Sequence, residues 1–291
     1  MTFSDRTPRV AVVVDSAASV PDEFRASALT YIAPMRLHVG DATYRDGVDI
    51  SSADFYQRQR ENARQIRTSA PTPADFLDAY RAAAEVAESA LTILVSSAFS
   101  AAGRSAELAR QKFSETYPEF QIRILDSQSA AGGQGLVAWE ASKTSLAGCG
   151  LDQTEARALE IRRRVRLIAY VDTLYYLWRG GRVAGIAHLG TSLLKLKPIF
   201  ELRQSQVLTL AKPRTASRAG EKMIELMADR VGNSTVHAII MHVLAKEQAL
   251  LLRDAVEERF DCAESFVTEF TPVMGAHIGP GMVGAAFWAE Q

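Results

Sequence analysis

Three places in this sequence set an aspartate and a hydroxyl side by side after an apolar run: Asp15-Ser16 after Val14, Asp126-Ser127 after Leu125, and Asp172-Thr173 after Val171. Such a pair either caps the following helix or, at the carboxyl end of a parallel strand, borders the crevice where open α/β sheets take their ligands. Two further hydroxyl pairs, Thr68-Ser69 before Pro71 and Ser96-Ser97 after ALTILV, fall in similar settings. Together these loops can hydrogen-bond the oxygen atoms of a ligand. Gly180-Gly181-Arg182 adds a cation beside paired glycines, where the backbone can approach a ligand closely and a guanidinium can grip a carboxylate or phosphate. Arg214, after Lys212-Pro213, and His277, in HIGPG, sit in turn-forming stretches. Arg162, Arg163, Arg164 and Arg166 read instead as a solvated basic face, and His38, His188, His237 and His242 as structural or surface histidines.

Other chemistries lack an entry point. Cys149 and Cys262 are far apart with no companion at metal-ligand spacing, so neither a zinc site nor a disulfide framework is indicated, and no metal is expected. GxxxxGK[ST], HExxH and GxSxG are all missing. Gly133 to Ala138 formally matches the GxGxxA dinucleotide fingerprint, but without a clear ribose-binding acid after a following strand the stretch reads as a tight turn.

The elements that must position these groups follow from the pattern of apolar residues. VAVVV from Val10, ALTILV from Ala90 and QIRIL from Gln121 predict strands of a mostly parallel sheet covered by helices. Thr72, Pro73 and Asp75 supply a hydroxyl cap, a first-turn proline and a capping-box acid for a helix whose Phe76, Leu77, Tyr80, Ala84 and Ala87 share one face. Beyond a soft boundary near residues 145 to 165, LIAYV, LKPIFEL, VLTLAK, HAIIMHVL and SFVTEF predict strands, with helices near Ala216 to Val231 and Lys246 to Phe260. This gives an α/β protein in two parts, residues 1–162 and a smaller α/β domain at 163–291.

Composition narrows the partners. The 291 residues are 47% hydrophobic and 23% charged, as in soluble globular proteins, and 33 basic against 34 acidic residues leave a net charge of -1. No overall field attracts nucleic acid or an anionic bilayer, so membrane contact is expected to be transient at most. With no signal peptide or long apolar run legible, the cytoplasm is the expected compartment.

VVVDSAASVP, YRDGVDIS, TSAPTPADF, LVSSAFS, ILDSQSAAGGQG, VDTLYYLWRGGRV, LLKLKPIF, KPRT and HIGPG, in this order along practically the whole chain, resemble the DegV family. The resemblance implies an N-terminal domain built on a parallel sheet, a smaller C-terminal α/β domain, and a buried long-chain fatty acid as ligand rather than any cofactor. It also implies a non-enzymatic role, as the binding subunit that presents the fatty-acid carboxylate to an ATP-dependent kinase for acyl phosphate formation. By motif position, Thr68 and Ser97 match the carboxylate-binding hydroxyls, and Arg182, Arg214 and His277 the basic head-group, phosphotransfer or partner-docking positions. Two departures bear on acyl preference: Ala101-Ala102 follow Ser100 where the family commonly has Gly-Thr, and Ala70 stands where it often has glutamine. An NAD-dependent oxidoreductase using Gly133 to Ala138, and a lipid-sensing regulator without a kinase, are the alternatives.

Overall fold

A computed structural model describes residues 10–22, 24, 30–62, 66–182 and 196–290; His188 lies outside them. Three sheets organise the described residues. The first is four parallel strands in the order β2-β1-β6-β7, comprising β1 (Val10–Asp15), β2 (Thr30–Ala33), β6 (Ser89–Leu94) and β7 (Gln121–Asp126). Every residue of β1 and β6 is buried, as continuous apolar runs require when helices cover both faces. One cover is α2 (Pro73–Ala84), which follows α1 (Ser52–Asn62). Its N-terminus is the capping box read from sequence: Thr72 accepts from the Asp75 N–H, and Asp75 accepts from the Thr72 N–H. The next cover is α3 (Ala102–Thr116).

The second sheet is mixed, in the order β10-β9-β8-β13-β11-β12. Its strands are β8 (Arg166–Tyr170), β9 (Ile199–Arg203), β10 (Gln206–Ala211), β11 (Val236–His242), β12 (Cys262–Glu269) and β13 (Val283–Ala289). Only β11 and β12 pair in parallel; the other four pairings are antiparallel. The central strand β13 is absent from the sequence reading, because VGAAFWA mixes small residues with two aromatics and carries no β-branched run beyond Val283. A small antiparallel sheet, β4-β3-β5, joins β3 (Arg36–Val39), β4 (Ala42–Arg45) and β5 (Ile66–Ser69).

Helix α4 (Ala131–Leu146) packs on strands of both large sheets, and α5 (Leu151–Arg164) packs on α4. The division between residues 162 and 163 therefore falls in the last turn of α5. The glycines of the GxGxxA stretch are part of the α4 packing: a Cβ at Gly133 would collide with Ser129 Oγ, and one at Gly135 would lie 2.8 Å from the Ser19 carbonyl oxygen; Gly132, just before them, is equally close-packed against Met241 Sδ. The tight turn expected there is thus the close-packed start of a buried helix, and the stretch presents no open loop to a dinucleotide.

The basic run is likewise not a solvated face. Arg166 and Arg230 both grip the buried Glu201, Arg164 pairs with Glu160, and Arg162 donates to the Asp126 carbonyl at 3.3 Å; Arg163 alone of the four is exposed. Among the described residues the remaining helices are α6 (Tyr175–Gly180), α7 (Ala216–Val231), α8 (Lys246–Arg259) and α9 (Pro272–Ile278). Among the described residues no helix is long and apolar enough to cross a membrane.

Candidate functional site

Alternation along β8 divides its side chains between two cores. Ile168 and Tyr170 face the core shared with α7 and α8, whereas Leu167, Ala169 and Val171 face the other way and line a cavity of about 410 Å³. The neighbouring strands extend that wall in register: Leu202 of β9 lies opposite Leu167, Phe200 opposite Ala169, and Val207 of β10 opposite Leu202. From Leu167 to Val171 the wall runs for roughly 13 Å of strand. Phe270, Val273, Met274 and Ile278, in or next to α9, close another side. The lining is predominantly aliphatic and aromatic, suited to a hydrocarbon.

Polar groups gather where β5, α6 and α9 meet. Thr68 Oγ1 and His277 Nε2 are hydrogen-bonded at 2.7 Å, and both residues line the cavity together with Ser69, Ser100 and Arg182. Main-chain and guanidinium contacts hold this corner. Arg179 of α6 donates to the Ile66 carbonyl at 2.8 Å, and Arg182 donates to the Gly180 carbonyl at 2.7 Å. Gly181, in the left-handed conformation at φ 64, ends α6 and turns the chain toward Arg182. Gly180 serves differently: a Cβ there would lie 2.5 Å from His277 Nδ1, so only glycine lets the imidazole occupy this position.

Burial, reinforced by the Arg182 and Arg179 charges, pushes His277 down to about 4. The imidazole is therefore neutral at physiological pH, with one ring nitrogen carrying a proton and the other a lone pair. This revises the picture of a basic histidine in a turn: His277 belongs to the last turn of α9, and among the described residues the cation lining the cavity is Arg182.

The five residues singled out from sequence separate into two sets. Thr68, His277 and Arg182 come together at the cavity. Ser97 is exposed on the same loop as Ser100 and does not line it; its backbone N–H is tied to Asp126 at 3.1 Å. Arg214 is exposed in the segment before α7 and also lies off the lining. Ser100, three residues after Ser97, carries no sequence signal that separates it from its neighbours. The detectable signal was the run of hydroxyls in SSAFS, but sequence spacing does not say which side of a turn faces inward.

The strand-end aspartates are ties rather than helix caps. Asp126 accepts from the N–H groups of Gln128 and Ser97, Asp15 accepts from Ala17 and Val95, and Asp172 pairs with Lys197. Ser16 donates to Asp46 at 2.7 Å and accepts from the Met35 N–H, which fixes another cavity-lining residue. Of the histidines read as structural or surface groups, His237 and His242 are buried and His38 bridges Thr43 and Ser69.

A family model described as "Uncharacterised protein, DegV family" matches residues 9–290. A DegV domain-containing protein of Streptomyces coelicolor is 31% identical over 277 residues, covering 94% of this chain and 96% of that protein. Among solved structures, a DegV family protein from Thermus thermophilus described for its fatty acid binding superposes with a TM-score of 0.88 at 28% identity, over 97% of this chain and 100% of that one. The fatty acid kinase B3 protein of Streptococcus pneumoniae, loaded with linoleic acid, shares the fold at 16% identity and a TM-score of 0.84, over 97% and 99% of the two chains. The chain belongs to the DegV family.

Proposed function

We propose that this protein binds a long-chain fatty acid, with its hydrocarbon against the β8-β9-β10 wall and its carboxylate at Thr68, His277 and Arg182, and presents that carboxylate to an ATP-dependent kinase. The carrying observation is the pairing of an apolar cavity with one polar corner, where a threonine hydroxyl, a neutral imidazole and a guanidinium converge. The fatty-acid binding described for the Thermus thermophilus relative supports the same reading. Burying about fourteen methylenes at ~0.8 kcal/mol each supplies on the order of 11 kcal/mol of gross transfer free energy, before ordering costs. Affinity thus comes mainly from the wall, and the corner orients the head group. Ser100 faces the cavity from the loop that carries Ser97, so both hydroxyls belong to the proposal and alanine substitutions tell them apart. The exposed Arg182 and Arg214 suit contacts with the phosphate or with the kinase.

Native mass spectrometry of the purified protein, followed by lipid identification in its organic extract, tests the binding step. A fatty acid in the extract at near-stoichiometric amount is expected. A protein that carries none and takes up none from added fatty acid would sink the proposal. Acyl phosphate made from the loaded protein by a cognate kinase and ATP tests the presentation step.

A further inference from the structure

Asp15 is fully buried at the carboxyl end of β1, and the fatty-acid reading gives it no task. Its carboxylate accepts from three segments: the Val95 N–H at 2.8 Å, the Ala17 N–H at 3.0 Å, and Gln134 Nε2 of α4 at 3.3 Å. Val95 and Ala17 both line the apolar cavity, so this one side chain stands behind its wall and sets the spacing of two wall segments against α4.

Three donors aimed at one group call for an acceptor-only partner. A carboxamide or a protonated carboxyl would bring a hydrogen to face one of them. The charged groups on the surrounding elements are engaged elsewhere. Asp46 accepts from Ser16, Asp75 of α2 pairs with Arg36, and Glu140 and Lys143 of α4 pair with each other. Neither β2 nor β6 carries a charged side chain, and Tyr31 of β2 lies two residues before Ala33, the register partner of Asp15. Burial therefore dominates, raising the Asp15 carboxyl to about 6 against the lowering effect of its three donors. Gln134 offers an answer to protonation: its Oε1 has no hydrogen-bond partner among the described residues, so turning the amide over would place an acceptor before a protonated Asp15. That turn would exchange the Nε2 donation to the Ile93 carbonyl for a carbonyl facing a carbonyl.

We infer that Asp15 is a positioning residue for the acyl cavity: as a carboxylate it holds Val95 and Ala17 against α4, and on protonation that wall loosens and fatty-acid affinity falls. The inference rests on the fatty-acid reading, and its test separates the two. Wild type and Asp15→Asn are titrated with cis-parinaric acid at stepped pH, and the ratio of their affinities is followed. Ionisation of the probe and of His277 acts on both proteins and cancels in that ratio.

At about pH 7.5 wild type should bind at least about fivefold more tightly than the variant, with the ratio shrinking towards unity near pH 5. A ratio that stays flat over this range, or an Asp15→Asn protein equal to wild type throughout, overturns the inference. Wild type that takes up no probe at any pH overturns the fatty-acid reading instead. A second measurement needs no variant: the Val95 amide of the ligand-free protein, followed in proton-nitrogen NMR spectra, should show a titration step with its midpoint near 6. An amide with no step there overturns the role given to Asp15, even if Asp15→Asn does not fold.

Discussion

Thr68 Oγ1 and His277 Nε2 meet at 2.7 Å across 209 positions of sequence, joining the small antiparallel sheet to the last helix at a polar corner of the cavity. The contact is between a hydroxyl and a neutral ring, because burial and the neighbouring arginines hold His277 down to about 4. An anion entering this corner changes that balance.

A carboxylate beside His277 favours the charged imidazole, so ligand binding should draw the ring's titration upward by at least about one unit. The ring-proton chemical shift of His277, followed against pH with and without palmitate, reads this directly. An unmoved midpoint would place the carboxylate elsewhere. The ligand-free protein carries a linked effect. A histidine whose folded value lies below its ordinary 6.5 binds fewer protons folded than unfolded, so stability is full above about 6.5 and is lost as pH falls towards 4. His277→Gln should remove that part of the acid sensitivity in denaturant titrations.

Gly180→Ala should act through the imidazole. The added Cβ would sit 2.5 Å from Nδ1, so the ring must shift and its bond to Thr68 lengthen, at an overpacking cost of about 1–3 kcal/mol. Fatty-acid affinity and melting temperature should both fall, while Gly181→Ala, with open space around its Cβ but a left-handed φ of 64, should lower stability with little change in affinity. Equal affinity losses in the two variants would deny Gly180 a role in placing His277.

Thr68→Val and Ser100→Ala should each weaken fatty-acid binding by about 1.5 kcal/mol, the low end for a hydrogen bond to a charged acceptor. Ser97→Ala should weaken it less, since that side chain is exposed and off the cavity lining. Lipid-exchange titrations of the three variants decide among the hydroxyls; wild-type affinity in the Thr68→Val, Ser100→Ala double variant would exclude both as carboxylate anchors.

What the sequence conveyed about this corner depended on whether the signal was local. The capping box at Thr72 and Asp75 and the buried runs of β1 and β6 are written in adjacent residues, and the structure reproduces them. The sheet of β3, β4 and β5 was not visible, because four-residue strands such as RLHV and ATYR, only partly buried, lack a run long enough to show a period. Thr68 and His277 were separately recognisable by motif, but their contact and the neutrality of the ring come from burial by distant segments, which no local pattern records. The arginines after Ile161 read as solvated in sequence for the same reason: their partners Glu201 and Asp126 are brought to them by the fold.

An ion cluster built around the buried His237, away from the cavity, predicts a separate pH dependence. His237 bridges Glu264 at 2.8 Å and Glu290 at 3.1 Å, and Glu264 also accepts from Trp139 and Lys143. Burial opposes charge on both groups. Their hydrogen bonds outweigh it, raising His237 and holding Glu264 at about 2. Glu264 thus contributes stability that is present above about 4.5 and is lost as pH falls towards 2, whereas the His237 contribution is full below about 6.5 and fades as pH rises through its raised folded value. Glu264→Gln should lower the melting temperature at neutral pH and flatten its decline in acid, with fatty-acid affinity unchanged. A variant whose melting profile follows wild type from neutral to acid pH would show the cluster contributes nothing.

Arg182→Ala and Arg214→Ala should separate holding the lipid from passing it on. Both side chains are exposed, Arg182 at the cavity corner and Arg214 before α7, whereas the wall proposed for the acyl chain is the apolar one of β8, β9 and β10. Lipid per protein should therefore change little in Arg214→Ala and fall at most a few-fold in Arg182→Ala, which loses one charge-assisted contact to the carboxylate. Acyl phosphate formation by a cognate kinase should fall much further in both, because these guanidiniums would meet the negative charge of the transferring phosphoryl group or take part in docking. The two quantities are measured on the same preparations, lipid by mass spectrometry and product with the reconstituted kinase and ATP. Full turnover by both variants would reduce them to solvated charges. Loss of lipid in parallel with loss of product would assign them to binding instead, leaving the kinase step without an identified contact on this surface.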